Sequence, residues 1–303
     1  MSDTQAHPRI HWWVRGLKWL VRGTLAVLTV LMLVVPALIW GLLHSETVTQ
    51  LLLPHLPGVR VVGGKGALLG DFSAQRVEID LPRGSLLSLD DAAWTALTIY
   101  PDPAAAWRFG VHAQALSARL VQIKWVPNPT PEPTTDPYDL RLPLSVVVER
   151  VQAQRGESSL WGPHALTQLD GRLEMKQTHH RADIRTVAYG PWQLHGHGHV
   201  KTLGRLQGEL QLQAQGVYAY DSAPSSPALP VKADIQATGP LTDLTVNTQV
   251  TVGAQKQAQS LQGTARLRLW APWMLPALHV KAKQFDLAAL LDTLPRSALT
   301  GSV

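Results

Sequence analysis

From Gln75 to Leu81 the chain alternates without a fault. Val77, Ile79 and Leu81 fall on one side, Arg76, Glu78 and Asp80 on the other. Successive side chains of an extended strand point to opposite faces, so a period of two specifies a sheet with one apolar and one wet face. The pattern returns in Leu142, Leu144, Val146 and Val148. It returns again in Leu206, Gly208, Leu210 and Leu212, set against Gln207, Glu209, Gln211 and Gln213. Val231 to Thr238 repeats it, with Ile235 and two alanines opposed to Lys232, Asp234, Gln236 and Thr238. Leu261 to Leu269, with Leu267 and Leu269 on the apolar side, and Leu278 to Lys283 continue it. A chain written this way is mainly β and must do something with its apolar face. A second sheet covers that face in a closed sandwich; in an open, curved sheet it lines a groove. The alternation serves both.

The N-terminus obeys another rule. Residues 24–43 read TLAVLTVLMLVVPALIWGLL, twenty residues without a charge. A helix of that length rises about 30 Å and matches the hydrocarbon thickness of a bilayer. Pro36 is tolerated in a membrane span. Trp12, Trp13, Trp19 and Trp40 flank the segment as interfacial residues do. Arg9, Arg15, Lys18 and Arg22 precede it against Asp3 alone, and the next cation is Arg60. The positive-inside rule therefore keeps residues 1–23 in the cytoplasm and exports residues 44–303. A cleaved signal peptide would have a shorter apolar core and small residues at a cleavage site, whereas His44-Ser-Glu-Thr follows here. The expectation is a membrane crossed once, with the bulk of the chain exported.

The net charge of +5 does not indicate a nucleic-acid partner. The cytoplasmic segment supplies +3 of it, leaving +2 over the exported part. The basic excess serves topology and attraction to the inner leaflet. The absence of cysteine excludes disulfides and thiolate sites.

Two proline-rich stretches, residues 127–137 (PNPTPEPTTDP) and 221–230 (DSAPSSPALP), cannot be central strands and are read as loops interrupting one sheet. A short amphipathic helix is expected near Val48 to Leu53. Leu-x-Gly-x-(Leu/Ala)-x-(Met/Leu) occurs at Leu169, Leu206 and Leu261. Its glycines, Gly171, Gly208 and Gly263, are 37 and 55 residues apart. Glycine on a strand face marks a bend or bulge, so the loose repeat is consistent with a curved repeating sheet or with ordinary strand starts.

Nothing in the sequence argues for catalysis. His195, His197 and His199 share one strand face, but the other face is Leu194, Gly196, Gly198 and Val200, so the imidazoles occupy the wet side and read as solvated rather than as a metal site. Gly63-Gly-Lys-Gly66 lacks the spacing of a phosphate loop and reads as a tight turn. Asp90 and Asp91 are linked to no base or nucleophile, and Ser158 and Ser159 lack a nucleophile-elbow context. No catalytic residue, metal or cofactor is expected.

The order of features resembles a known family. The cationic N-terminus and span are followed by Val59-Arg-Val-Val-Gly-Gly-Lys-Gly-Ala-Leu-Leu-Gly-Asp-Phe72. The proline-rich loop and Leu140-Arg-Leu-Pro-Leu-Ser-Val-Val-Val-Glu-Arg-Val151 come next. Gly239-Pro-Leu-Thr-Asp-Leu-Thr-Val246 and Phe285-Asp-Leu-Ala-Ala-Leu290 come last. This resembles the N-terminal part of TamB, the inner-membrane component of the translocation and assembly module, within the AsmA-like group. The resemblance implies a β-taco-like fold: a curved, open, repeating β-sheet groove with an apolar interior. It implies a periplasmic bridge carrying phospholipid between inner and outer membranes. Alternatively, it implies a scaffold assisting outer-membrane protein insertion with a barrel partner of the TamA type. Family members are longer, so a piece truncated at its C-terminus is expected. In such a groove Val77, Ile79, Leu81, Leu144, Val146, Val148, Leu210, Leu212, Ile235, Leu267 and Leu269 would shield acyl chains, and the segment Val48 to Leu53 would be its doorway.

Overall fold

The computed structural model describes residues 41, 44–55, 57–126, 139–159, 164–219, 228–253, 259–271, 273–287 and 297–302. The apolar span at 24–43, apart from Gly41, and the proline-rich loop at 127–137 lie outside the described residues. Among the described residues no helix is long and apolar enough to cross a membrane.

Helix α1 (Glu46–Leu52) runs into a 3-10 turn, Leu53–His55. Sixteen strands follow among the described residues, and all belong to one mixed sheet. The first are β1 (Val59–Val62), β2 (Lys65–Gly66), β3 (Gly70–Asp80) and β4 (Leu86–Pro101). Then come β5 (Phe109–Ala113), β6 (Ala115–Lys124), β7 (Ser145–Ser158) and β8 (Leu166–Met175). The second half holds β9 (His179–Tyr189), β10 (Trp192–Lys201), β11 (Gln207–Ala219) and β12 (Ala228–Pro240). It closes with β13 (Leu244–Val252), β14 (Gln259–Leu267), β15 (Ala277–Phe285) and β16 (Leu299–Ser302). Strands β7 to β16 are an antiparallel meander. Strands β5 and β6 share one position between β4 and β7, antiparallel to the former and parallel to the latter. The parallel pairing requires the chain between Lys124 and Ser145 to return to the end where β5 began. A two-residue hairpin cannot do this.

The alternation predicted the strands well and their ends less well. Leu81 falls just beyond β3, because Pro82 cannot extend the ladder. Leu144 precedes β7, which starts at Ser145 after Pro143, and Leu269 follows the last residue of β14. The loop expected at 221–230 is shorter, since β12 begins at Ala228. Pro230 sits in its first turn of pairing, opposite Val217, and accepts a bond from Gly253 N at 2.9 Å. Its missing N–H matters little there, at the end of the β12–β13 ladder. Gly63 and Gly66, with φ of 67° and 88°, make the tight turn around β2.

Cross-strand partners share a face, so the register turns the one-strand patterns into rows across the sheet. Phe72, Trp94, Leu116, Val151, Gly171, Ile184, Gly196, Leu212, Ile235, Thr248, Gly263 and Val280 are successive partners across twelve strands. Thr248 alone among them is polar. A second row joins Ala113, Val148, Leu173, Ala182, Gly198, Leu210, Ala237, Val246, Ala265 and Leu278, all apolar. Between them, on the other face, run Arg172, Asp183, His197, Gln211, Gln236, Asn247, Thr264 and His279. The local alternation is thus kept in phase over most of the sheet.

Two clusters hold the apolar face. At the β11–β12 end of the strands, Ala214, Val231, Ala233, Val250, Val252 and Phe285 pack together, with Phe285 fully buried. Near the sheet's first strands, Phe72, Ala74, Val77 and Ala92 pack with Leu53, and Phe72 stacks on Trp94 at a centroid distance of 4.3 Å. Thr49, itself buried, accepts a bond from Leu68 N at 2.9 Å and ties α1 to this cluster. The segment expected to be a doorway therefore covers the end of the long apolar row: Leu53 sits on Phe72.

Candidate functional site

An apolar cavity of about 600 Å³ lies on the apolar face and is lined from β8 through β14. Its floor is made by small residues of the second row, Ala182, Gly198 and Ala237, with Gly208 beside them. Glycine at 198 is a matter of room rather than of backbone need. A Cβ there would meet Leu210 Cδ1 at 3.5 Å, an ordinary contact. Gly196, one step along the strand, is different. Its Cβ would run into the carbonyl oxygen of Gln211, so only glycine fits there, and it lies opposite the register slip at which β9 carries one extra residue between Val187 and Ile184. Leu173, Met175, Leu210, Leu241, Leu244, Val246, Leu267 and Leu269 form the walls. Leu210 and Leu269 remain 38% exposed although they line it, so the cavity is open to solvent on one side.

Of the residues picked from the sequence, Leu210, Ile235, Leu267 and Leu269 meet in this cavity. Leu212 pairs with Ile235, while Val146 and Val148 pair with the lining residues Met175 and Leu173 one strand away. Val77 and Ile79 belong instead to the cluster under Leu53, and neither they nor Leu81 and Leu144 line the cavity. Sequence reasoning missed Leu173, Met175, Leu241, Leu244 and Val246. For the last two the signal was present, since Leu244-Thr-Val246-Asn alternates as clearly as the segments that were singled out.

The polar boundary of the cavity is satisfied in part: among the described residues the buried Nδ1 of His180, a lining residue, has no hydrogen-bond partner. The segment returning from the proline-rich stretch crosses the β8–β9 and β10–β11 turns. There Leu140 N donates to Thr202 O at 2.8 Å and Gln177 Nε2 to Leu142 O at 3.0 Å. His180, which lines the cavity, bonds through Nε2 to Leu140 O at 2.8 Å.

The opposite face is laced with ion pairs. Asp170 lies between Arg150 and Arg185, at 2.6 and 2.8 Å. The hydrogen bond from Arg150 holds its carboxyl below the usual range despite partial burial, and Arg185 adds to the effect. Asp90 behaves likewise: the bond from Arg76 at 2.8 Å lowers it, partial burial opposes, and Arg119 helps. These pairs make Asp90 a structural carboxylate of β4. His195, His197 and His199 lie on this polar face, and His195 Nε2 meets Gln213 Oε1 at 2.9 Å. Among the described residues no group of three or more histidines or carboxylates is placed to hold a metal ion.

The fold and site define a class: a single extended β-sheet, apolar on one face and charged on the other, with an open apolar cavity in the former. No protein-family model matches the chain, and no curated protein or solved structure is similar to it.

Proposed function

We propose that the apolar face is a curved, open groove that shields the acyl chains of phospholipid, and that the chain is a periplasmic, membrane-anchored carrier of lipid between inner and outer membranes. The reading rests chiefly on the two apolar rows that stay in phase across ten and twelve strands and contain the cavity. A β-sandwich covers such a face with a second sheet; here all sixteen strands of the described residues belong to one. The cavity crosses seven successive strands, about 29 Å at roughly 4.8 Å per strand. Taking a methylene to fill about the volume of a water, roughly 30 Å³, 600 Å³ accommodates on the order of 20 carbons, the size of one acyl chain. Glycines at 171, 196 and 263 in the long row favour bending towards that side. Transfer along such a face needs no catalytic group.

The test is lipid co-purifying with the full chain. Leu210→Asp places a charge in the cavity at a position that is 38% exposed, and should abolish bound phospholipid while the circular dichroism spectrum stays unchanged. Equal lipid content in wild type and variant would rule the reading out.

A second reading is a scaffold that helps outer-membrane proteins reach a barrel partner of the TamA type. It is favoured by β1, which stands at the edge of the sheet and pairs, among the described residues, with β3 alone. Such an edge accepts a client strand. Crosslinks from the exposed Arg60 on β1 to nascent barrel proteins, with no lipid on the apolar face, would select it.

A further inference from the structure

The turns joining β10 to β11, β12 to β13 and β14 to β15 lie at the same end of the strands and are stitched together. Leu241 N donates to Leu206 O at 3.2 Å, Leu269 N to Leu241 O at 3.4 Å and Arg268 N to Met274 O at 2.9 Å. At this end the surface is apolar to an unusual degree. In the β14–β15 turn Trp273 is 74% exposed and Met274 54%, with Leu269 and Leu275 exposed in the same turn, and Leu203 is exposed in the β10–β11 turn. Exposed apolar side chains gathered at one end of a sheet mark a contact site.

Three observations choose its occupant. Trp273 already spends its indole N–H on Leu275 O at 2.7 Å, so its ring can enter an apolar medium without stranding a donor. The charge at this end is positive. Asp243 is taken up by Arg266, with Arg268 at 4.0 Å, while the exposed Lys201 and Arg205 make no ion pair among the described residues. Finally, Leu241, Leu267 and Leu269 line the cavity from these same turns, so the patch adjoins its open side. Indole and aliphatic side chains at the same end of the sheet as cations without an ion pair are what the interface of an anionic bilayer accepts.

We propose that this turn cluster inserts shallowly into the headgroup region of an anionic phospholipid bilayer and sets the cavity's open side against it. This deepens the lipid-carrier reading and rests on it for what passes into the cavity, but the contact itself is independent.

The chain has no cysteine, so Met274→Cys carries a single environment-sensitive fluorophore, with Gln236→Cys on the polar face as control. Both positions are exposed and the sheet is undisturbed. The full chain is mixed with phosphatidylcholine vesicles with and without phosphatidylglycerol. Brominated lipid should quench the label at 274, iodide should lose access to it, and the label at 236 should respond to iodide alone. Lys201→Gln with Arg205→Gln should shift the docked fraction about fivefold per charge on anionic vesicles and leave neutral vesicles unaffected. A label at 274 that stays open to iodide and unquenched by lipid overturns the proposal, even where the purified chain retains lipid in its cavity. Docking at 274 with an empty cavity upholds it and refutes the carrier reading instead.

Discussion

Gly198→Phe addresses the cavity with the least disturbance to the sheet. A Cβ at 198 meets only Leu210 Cδ1 at 3.5 Å and Glu209 O at 3.9 Å, and Gly198 does not have a positive φ. The backbone therefore accepts a side chain, and the ring must project into the cavity between Leu210 and Ala182, the partners of residue 198. Its seven carbons displace about seven methylenes of a bound chain, about 6 kcal/mol at roughly 0.8 kcal/mol per buried methylene. Because the cavity is open on one side, about half of that is lost, roughly 3 kcal/mol or on the order of 100-fold in Kd. The assay is displacement of a fluorescent fatty acid from the purified full chain. Gly198→Ala, which adds one methyl group, serves as the graded control and should weaken binding less than tenfold. Unchanged affinity in Gly198→Phe, with the fold intact, would show that acyl chains do not occupy the space above residue 198.

Other consequences concern the sheet that carries the cavity. Gly196→Ala pushes a methyl group into the Gln211 carbonyl, and should cost about 1–3 kcal/mol in denaturant unfolding, whereas Gly198→Ala should be near neutral; equal effects would contradict the close approach of the Gln211 carbonyl to Gly196. Phe285→Ala empties the fully buried centre of the cluster around Val231 and Val252 and should cost about 3–5 kcal/mol, measured the same way. Asp90 and Asp170 have folded pKa values below the ordinary carboxylate value. Their stabilisation is present above the unfolded value of about 3.9 and is lost as pH falls through the depressed folded values. Replacing Arg150 and Arg185 with Gln should move the onset of acid unfolding to higher pH. At neutral pH the same change should cost about 1 kcal/mol or less per pair, because both guanidinium groups are half exposed. A superimposable acid titration by circular dichroism would refute this.

The sequence was most legible where one strand's own pattern decides the outcome. Leu210 and Leu212 on β11, Ile235 on β12 and Leu267 on β14 lie on the apolar face because alternation places them there, and three of the four line the cavity. What alternation cannot convey is contact between distant segments. Val77 and Ile79 alternate as cleanly as Leu210, yet they lie on β3, several strands from the nearest cavity-lining strand β8, and pack in the cluster with Leu53 instead. The cavity sits over Gly198 and Gly208 because side chains are missing there, and a period-two count gives glycine the same weight wherever it falls. The parallel pairing of β6 with β7 was likewise hidden, since nothing local to either strand records the direction from which its neighbour arrives. Charge pairing was missed for the same reason: Asp90 meets Arg76 and Arg119 only after three strands are aligned.

The central claim, that one face of the sheet carries acyl chains, is tested most directly by a photo-crosslinking walk in the full chain. A photoreactive residue is placed at Leu212, Ala237 and Val246 on one face and at Gln211, Gln236 and Asn247 on the other, positions adjacent in register. The account predicts phospholipid adducts at the first three and none at the second three. Adducts spread equally over both sets, or absent from the first, would contradict it.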